Sequence, residues 1–125
     1  EFIPWSNANI SLQNIKEFFT KKELDEIEDD VRNAAYEIIN RKGATYYGIG
    51  MAMVRITNAI LGNENTIIPL SVYDEVNDVY VGLPAILNEL GVKRRIKLEL
   101  TKEEEAKLQH SIDVIKENIR SVKDI

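Results

Sequence analysis

Residues 49–61 read IGMAMVRITNAIL, and only Arg55, Thr57 and Asn58 interrupt an otherwise apolar run. A surface helix carries one apolar stripe, whereas a helix apolar nearly all round is buried. The run therefore predicts a buried helix. At about 15 residues it is too short to cross a bilayer, which takes roughly 20. Gly48, Gly50, Ala52 and Ala59 are small, so close approach by neighbouring elements is expected, because glycine otherwise costs a helix about 1 kcal/mol relative to alanine. The polar lead-in Lys42-Gly43-Ala44-Thr45 then lies at a helix N-terminus. Free N–H groups and the positive dipole end favour an anion there.

The surrounding chain sets this helix in an α+β domain. Residues 1–15, with Pro4 and three Asn, read as an extended lead followed by a turn of helix. Thr20-Lys21-Lys22-Glu23 has capping-box spacing. It opens a helix whose stripe is Leu24, Ile27, Val31, Ala34, Ala35, Ile38 and Ile39, and Gly43 is expected to end it. After residue 62 the period changes. Residues 66–73 are rich in β-branched side chains, with Pro69 pointing to an edge strand or a bulge. Residues 78–87 form a second strand interrupted at Gly82 and Pro84. Ile96, Leu98 and Leu100 alternate with charges as a half-buried third. Short connections make these an antiparallel meander. Thr101-Lys102-Glu103-Glu104 is a second capping box, opening a helix with Leu108, Ile112, Ile115, Ile119 and Val122 on one stripe. The expected order is helix, helix, three strands, helix: mixed helices with a small antiparallel sheet.

With 125 residues there is one domain's worth of chain. A net charge of −5 argues against nucleic acid, whose phosphates require a basic face. The absence of cysteine removes disulfides and thiolate metal sites. No signal-peptide pattern or membrane-length apolar run is present. The only histidine, His110, is two residues from both Leu108 and Ile112, so it should face solvent, and no metal site is expected. The acidic clusters 25–30 and 103–105 read as helix faces. Gly48-Ile49-Gly50 starts like a dinucleotide loop, but it lies inside a helix and lacks the third glycine. Thr45 is a good N-cap residue, and local sequence alone favours capping over ligand contact. These residues contain no complete active site.

Several blocks carry a family resemblance. They are Pro4-Trp5-Ser6, Val31-Arg32-Asn33-Ala34-Ala35-Tyr36-Glu37-Ile38-Ile39, Lys42-Gly43-Ala44-Thr45-Tyr46-Tyr47-Gly48-Ile49-Gly50-Met51-Ala52 and Asp78-Val79-Tyr80-Val81-Gly82-Leu83-Pro84-Ala85-Ile86. In order and in combination they resemble the C-terminal domain of bacterial NAD-dependent L-lactate dehydrogenases. The resemblance runs from Glu1 to the last helix. It implies that residues 1–125 are part of a C-terminal substrate domain, with a Rossmann NAD-binding domain absent from this chain. It also implies a cytoplasmic parent enzyme, a homotetramer, that interconverts pyruvate and L-lactate in glycolysis and fermentation.

On this resemblance the catalytic histidine is expected just upstream of Glu1. Its orienting Asp and the two substrate-facing Arg lie further upstream, so the chain holds no catalytic residue and should be inactive alone. Thr45 matches the threonine beside the substrate carboxylate. Ile49 matches the apolar residue against the nicotinamide ring, with most of the NAD site on the missing domain. Tyr36 matches a position that carries phosphotyrosine in some bacterial members; a core-facing tyrosine is the alternative. The chain departs from the pattern in two connections, 11–22 and 72–78, which are shorter than usual. Malate dehydrogenase shares the domain, and the loop that separates the two substrates lies outside this chain. A stand-alone interaction domain without catalysis is the alternative from another class.

Overall fold

The computed structural model describes residues 2–123. A short 3-10 turn, Trp5–Asn7, leads into a hairpin of β1 (Asn9–Ile10) and β2 (Gln13–Asn14), then a second 3-10 turn, Ile15–Glu17. Helices α1 (Lys21–Lys42) and α2 (Tyr46–Leu61) follow, then strands β3 (Thr66–Asp74), β4 (Val79–Asn88) and β5 (Gly91–Arg95), then α3 (Lys102–Lys123). The chain divides into two units. One holds the chain up to Ala44 together with the chain from Leu98 onward, and the other is Thr45–Lys97.

In the first unit, α1 starts at the expected capping box: Glu23 N–H donates to the Thr20 hydroxyl, and Thr20 N–H donates to the Glu23 carboxylate. It ends where Gly43 adopts the left-handed conformation, φ 77°, and donates to the Ile39 carbonyl at 2.7 Å. Glycine alone takes that conformation without a Cβ penalty. The acidic residues of α1 pair along the helix, Asp25 with Lys21, Glu26 with Lys22, and Glu28 and Asp29 with Arg32. They are the solvated face that the sequence suggests. The apolar stripe is covered only at its start. Leu24 is buried, while Val31, Ile38 and Ile39 are exposed. On α3, Ile112 is buried, Leu108 and Ile115 are half-buried, and Ile119 and Val122 are open to solvent. The early hairpin is not apparent from the sequence. It turns at Ser11 and Leu12, both at positive φ without being Gly or Asn.

In the second unit, β3, β4 and β5 form an antiparallel sheet in sequential order. Alternation along β3 turns Val72 and Asp74 inward and leaves Ile67, Pro69, Ser71 and Tyr73 exposed. Val72, Val79, Val81, Ala85 and Leu87 make a core with Ala59, where α2 packs on β4. Pro84 does not interrupt β4. It pairs with Pro69 across the ladder, and an antiparallel ladder leaves alternate pairs without mutual bonds, so neither proline withholds a donor from the β3–β4 ladder; on the β5 side Pro84 accepts from Ile96 N–H but has no N–H to return. The connection after β3 is closed by Asp74. Its carboxylate accepts from Asn77 Nδ2 at 2.8 Å, Arg95 Nη1 at 3.0 Å and Val76 N–H at 3.3 Å. Asn77, Arg95 and the Val76 amide hold that carboxyl below the usual carboxylate range against the opposing effect of burial.

Two expectations need correction. The third strand is Gly91–Arg95, not the alternating run after it. Ile96, Leu98 and Leu100 are half-buried as alternation predicts, and Ile96 N–H still bonds the Pro84 carbonyl at 2.8 Å. Beyond it the Glu99 carbonyl is taken by side chains, Ser6 Oγ and Asn7 Nδ2, instead of a ladder. Helix α2, second, is not buried within this chain. Ala59 is its only buried residue, and Tyr46, Tyr47, Met51, Met53 and Leu61 are exposed. A side chain added at Gly48 or Gly50 would meet nothing within 4 Å. A three-stranded sheet covers one stripe of a helix, and these 125 residues supply no other element of that unit to cover the rest.

Candidate functional site

The start of α2 brings two of the three candidate residues together. Thr45 precedes the first helical residue with φ −114° and ψ 11°, and its side chain makes no capping hydrogen bond. The capping role that local sequence favours is therefore not taken up. No acidic residue occupies the first turn, so neither the threonine nor a carboxylate neutralises the free N–H groups and positive dipole there. Thr45 is half-buried. Ile49 follows four residues later, on the same helix face, and is 62% exposed. A hydroxyl, free backbone donors and an apolar side chain thus line one turn. They can accept an anionic group and, beside it, a flat apolar one. Tyr46 and Tyr47 flank this turn with ring centroids 4.7 Å apart.

Tyr36 lies on α1, in the other unit, and is 67% exposed. Its ring is not packed in a core of this chain. His110 is exposed on α3, as its spacing predicts. Among the described residues no group of three or more His, Asp or Glu could hold a metal ion. No described helix is long and apolar enough to cross a membrane.

The first unit contains a polar cluster whose reach is not legible from its sequence. Glu104 is 8% exposed. Its Oε2 accepts from Ser6 Oγ at 2.6 Å, Thr101 N–H at 2.9 Å and Thr101 Oγ1 at 3.0 Å, and its Oε1 accepts from Ser6 N–H at 3.0 Å. Burial works to raise this carboxyl, but the bonds from Ser6 and Thr101 outweigh it and hold it at about 2, against a usual 4.5. The Thr101–Glu104 half is the expected capping box. The Ser6 half joins residues 98 positions apart, and no local pattern encodes that. Beside this cluster a cavity of about 480 Å³ is lined by Trp5, Phe19, Leu24, Lys21 and Lys107 among others.

Residues 1–125 match the family model described as lactate/malate dehydrogenase, alpha/beta C-terminal domain. L-lactate dehydrogenase 2 of Bacillus anthracis is 47% identical over 128 residues, covering 94% of this chain and 41% of the relative. L-lactate dehydrogenase 1 of Bacillus cereus (strain ATCC 10987 / NRS 248) is 44% identical over the same shares. Among solved structures, a lactate dehydrogenase from a Medee basin deep-sea metagenome library superposes with TM-score 0.91 at 45% identity, over 95% of this chain and 41% of that one. The malate dehydrogenase from Aeropyrum pernix superposes with TM-score 0.83 at 25% identity, over 92% and 40%. The chain thus spans about two fifths of the length of these relatives.

Proposed function

Because the chain belongs to the lactate/malate dehydrogenase alpha/beta C-terminal domain family, we propose that it is the substrate domain of an NAD-dependent dehydrogenase interconverting pyruvate and L-lactate. The observation that carries this reading is the open start of α2, where Thr45 caps nothing and Ile49 presents apolar surface on the same face. Thr45 donates its hydroxyl to the substrate carboxylate, assisted by the positive helix end. Ile49 supplies an apolar wall for the nicotinamide ring, and an exposed aliphatic side chain fits that part. The cofactor, when bound, gives or takes the hydride. Most of the NAD site, the proton-transfer histidine, its Asp and the two arginines are assigned to the part of the enzyme outside this chain. The exposed apolar side chains of α2 support further protein covering them, either the nucleotide domain or another subunit of a tetramer. A cytoplasmic, fermentative enzyme is the setting. Tyr36, with its hydroxyl reachable from solvent, suits a modification site.

The lactate assignment rests on the Bacillus relatives. The malate alternative draws on the likeness to the Aeropyrum enzyme. The deciding assay is NADH oxidation by the complete enzyme with pyruvate and with oxaloacetate. Faster turnover of pyruvate is expected. Preference for oxaloacetate would reassign the substrate, and turnover of neither would leave an interaction domain without catalysis. The 125-residue chain alone should oxidise no NADH with either, because on this reading the proton donor for the oxyanion is outside it.

A further inference from the structure

The cavity of about 480 Å³ lies wholly within the first unit, where the starts of α1 and α3 both line it. Its apolar wall is Ile3, Trp5, Phe19 and Leu24. Most of its charged side chains are already matched. Lys21 pairs with Asp25 at 2.7 Å, Lys107 with Glu103 at 3.2 Å and Glu28 with Arg32 at 2.9 Å. Glu104 is clamped by Ser6 and Thr101 through four hydrogen bonds. Lys16 is the exception: its ammonium has no hydrogen bond or ion pair among the described residues. It stands on the turn Ile15–Glu17, which packs against the turn that carries Trp5. The indole Nε1 of Trp5 is buried and finds no acceptor among the described residues. Such a donor has given up water and gained nothing in return. An apolar wall with a few uncommitted polar groups is the usual form of a small-molecule site.

We propose that this cavity binds a small amphipathic carboxylate. Its hydrocarbon body lies against Ile3, Phe19 and Leu24. Its carboxylate accepts from Lys16 Nζ and, with a small turn of the ring, from Trp5 Nε1. These are the two donors that the fold leaves unused, and a neutral ligand would leave the Lys16 charge unmatched. Thr45 and Ile49 belong to the other unit, so binding here does not rest on the dehydrogenase reading.

The test is isothermal calorimetry on the complete protein in excess NADH, which fills any nucleotide site. The probes are naphthoate and its uncharged counterpart naphthylmethanol. Naphthoate is expected to bind with a Kd of about 1 mM or below, the range for a ligand of its size. Lys16→Glu should weaken it about tenfold or more, and Trp5→Phe, which keeps a ring and drops the donor, about tenfold. Naphthylmethanol should bind about tenfold more weakly than naphthoate. Thr45→Val should leave naphthoate binding within about twofold. Lys16 is exposed, so Lys16→Glu keeps the fold and decides the matter even where Trp5→Phe does not fold. No naphthoate binding overturns the proposal, and so does binding that Lys16→Glu leaves unchanged. Equal affinity for naphthylmethanol overturns it as well. Binding lost in Thr45→Val but kept in Lys16→Glu places the probe at the start of α2 and equally overturns it.

Discussion

All three long helices begin after a threonine, yet they begin differently. At α3, Thr101 is locked to Glu104, and Glu104 to Ser6, with the carboxylate buried. At α2, Thr45 has the same side chain in the same place and caps nothing. The difference lies three residues on: Glu104 follows Thr101, whereas Thr45 is followed by Tyr46, Tyr47 and Gly48. A capping box satisfies the helix's own donors and closes its end to ligands. A start without one keeps its donors and dipole free. The helix that gives up this stabilisation is also the one that leaves most of its apolar surface in water. Both features suit a helix completed by something outside the chain, and they separate a threonine that caps from one that does not more sharply than spacing does.

The strongest break of the comparison is Glu104→Ala. It removes the acceptor of four hydrogen bonds and strands part-buried donors on Ser6 and Thr101. Bonds to a charged group contribute about 1.5–3 kcal/mol each and do not add fully, so a loss of about 3 kcal/mol is expected. Urea unfolding followed by the fluorescence of Trp5, the chain's single tryptophan and the neighbour of Ser6, measures it. A loss under about 1 kcal/mol, the size of an ordinary cap, would make the two boxes equivalent.

Acid should sharpen the same contrast. Glu104 is depressed from 4.5 to about 2 in the folded chain. A depressed carboxylate stabilises above its unfolded value, and that contribution is lost as pH falls through the folded value. Between about pH 4.5 and 2 the wild-type chain should therefore lose stability faster than Glu104→Ala. Parallel stability–pH curves for the two would show that the carboxylate is not held as the geometry implies.

Thr45→Val gives the opposite pattern. The two side chains are nearly isosteric and no cap is lost, so stability should change by less than about 0.5 kcal/mol. In the complete enzyme, losing one hydrogen bond to a carboxylate costs about 1.5–3 kcal/mol, hence roughly a tenfold to hundredfold fall in kcat/KM for pyruvate with NADH affinity preserved. Unchanged kcat/KM would remove Thr45 from the site. A large drop in melting temperature would mean the start of α2 is not open.

The sequence made the helices, their starts and strands β3 and β4 legible because those depend on local signals: two capping boxes, Gly43 at a left-handed end, and a run rich in β-branched residues in β3 with a second apolar run after it. It misled wherever partners decide. The apolar face of α2 implied burial that 125 residues do not supply. The alternation of Ile96, Leu98 and Leu100 was real, but Ser6 and Asn7 took the Glu99 carbonyl that a ladder would use. The β1–β2 turn hid because Ser11 and Leu12 are not residues that favour positive φ. At the candidate site, the dipole argument located the turn, and the missing glutamate at N3 was visible. Only the structure could show that the Thr45 hydroxyl is uncommitted, and that Ser6 and Glu104, at opposite ends of the chain, meet.

The smallest effect belongs to the ordinary box. Thr20 and Glu23 make the same reciprocal bonds as Thr101 and Glu104, but in the open: Glu23 is lowered from its usual value by the Thr20 backbone and hydroxyl, and no third residue joins them. Water can replace the hydroxyl once it is gone. Thr20→Ala should therefore cost about 1 kcal/mol, the usual value for an N-cap, with a smaller change in the acid-dependent slope than Glu104→Ala, because only the hydroxyl's share of the lowering at exposed Glu23 is lost, and with no change in turnover by the complete enzyme. Because Thr20 and Thr101 are identical in chemistry and motif, any excess in the Glu104 variant over this baseline measures what burial and Ser6 add. A Thr20→Ala loss as large as that of Glu104→Ala would show instead that both helices depend on their caps alone, and that the buried clamp adds nothing to α3.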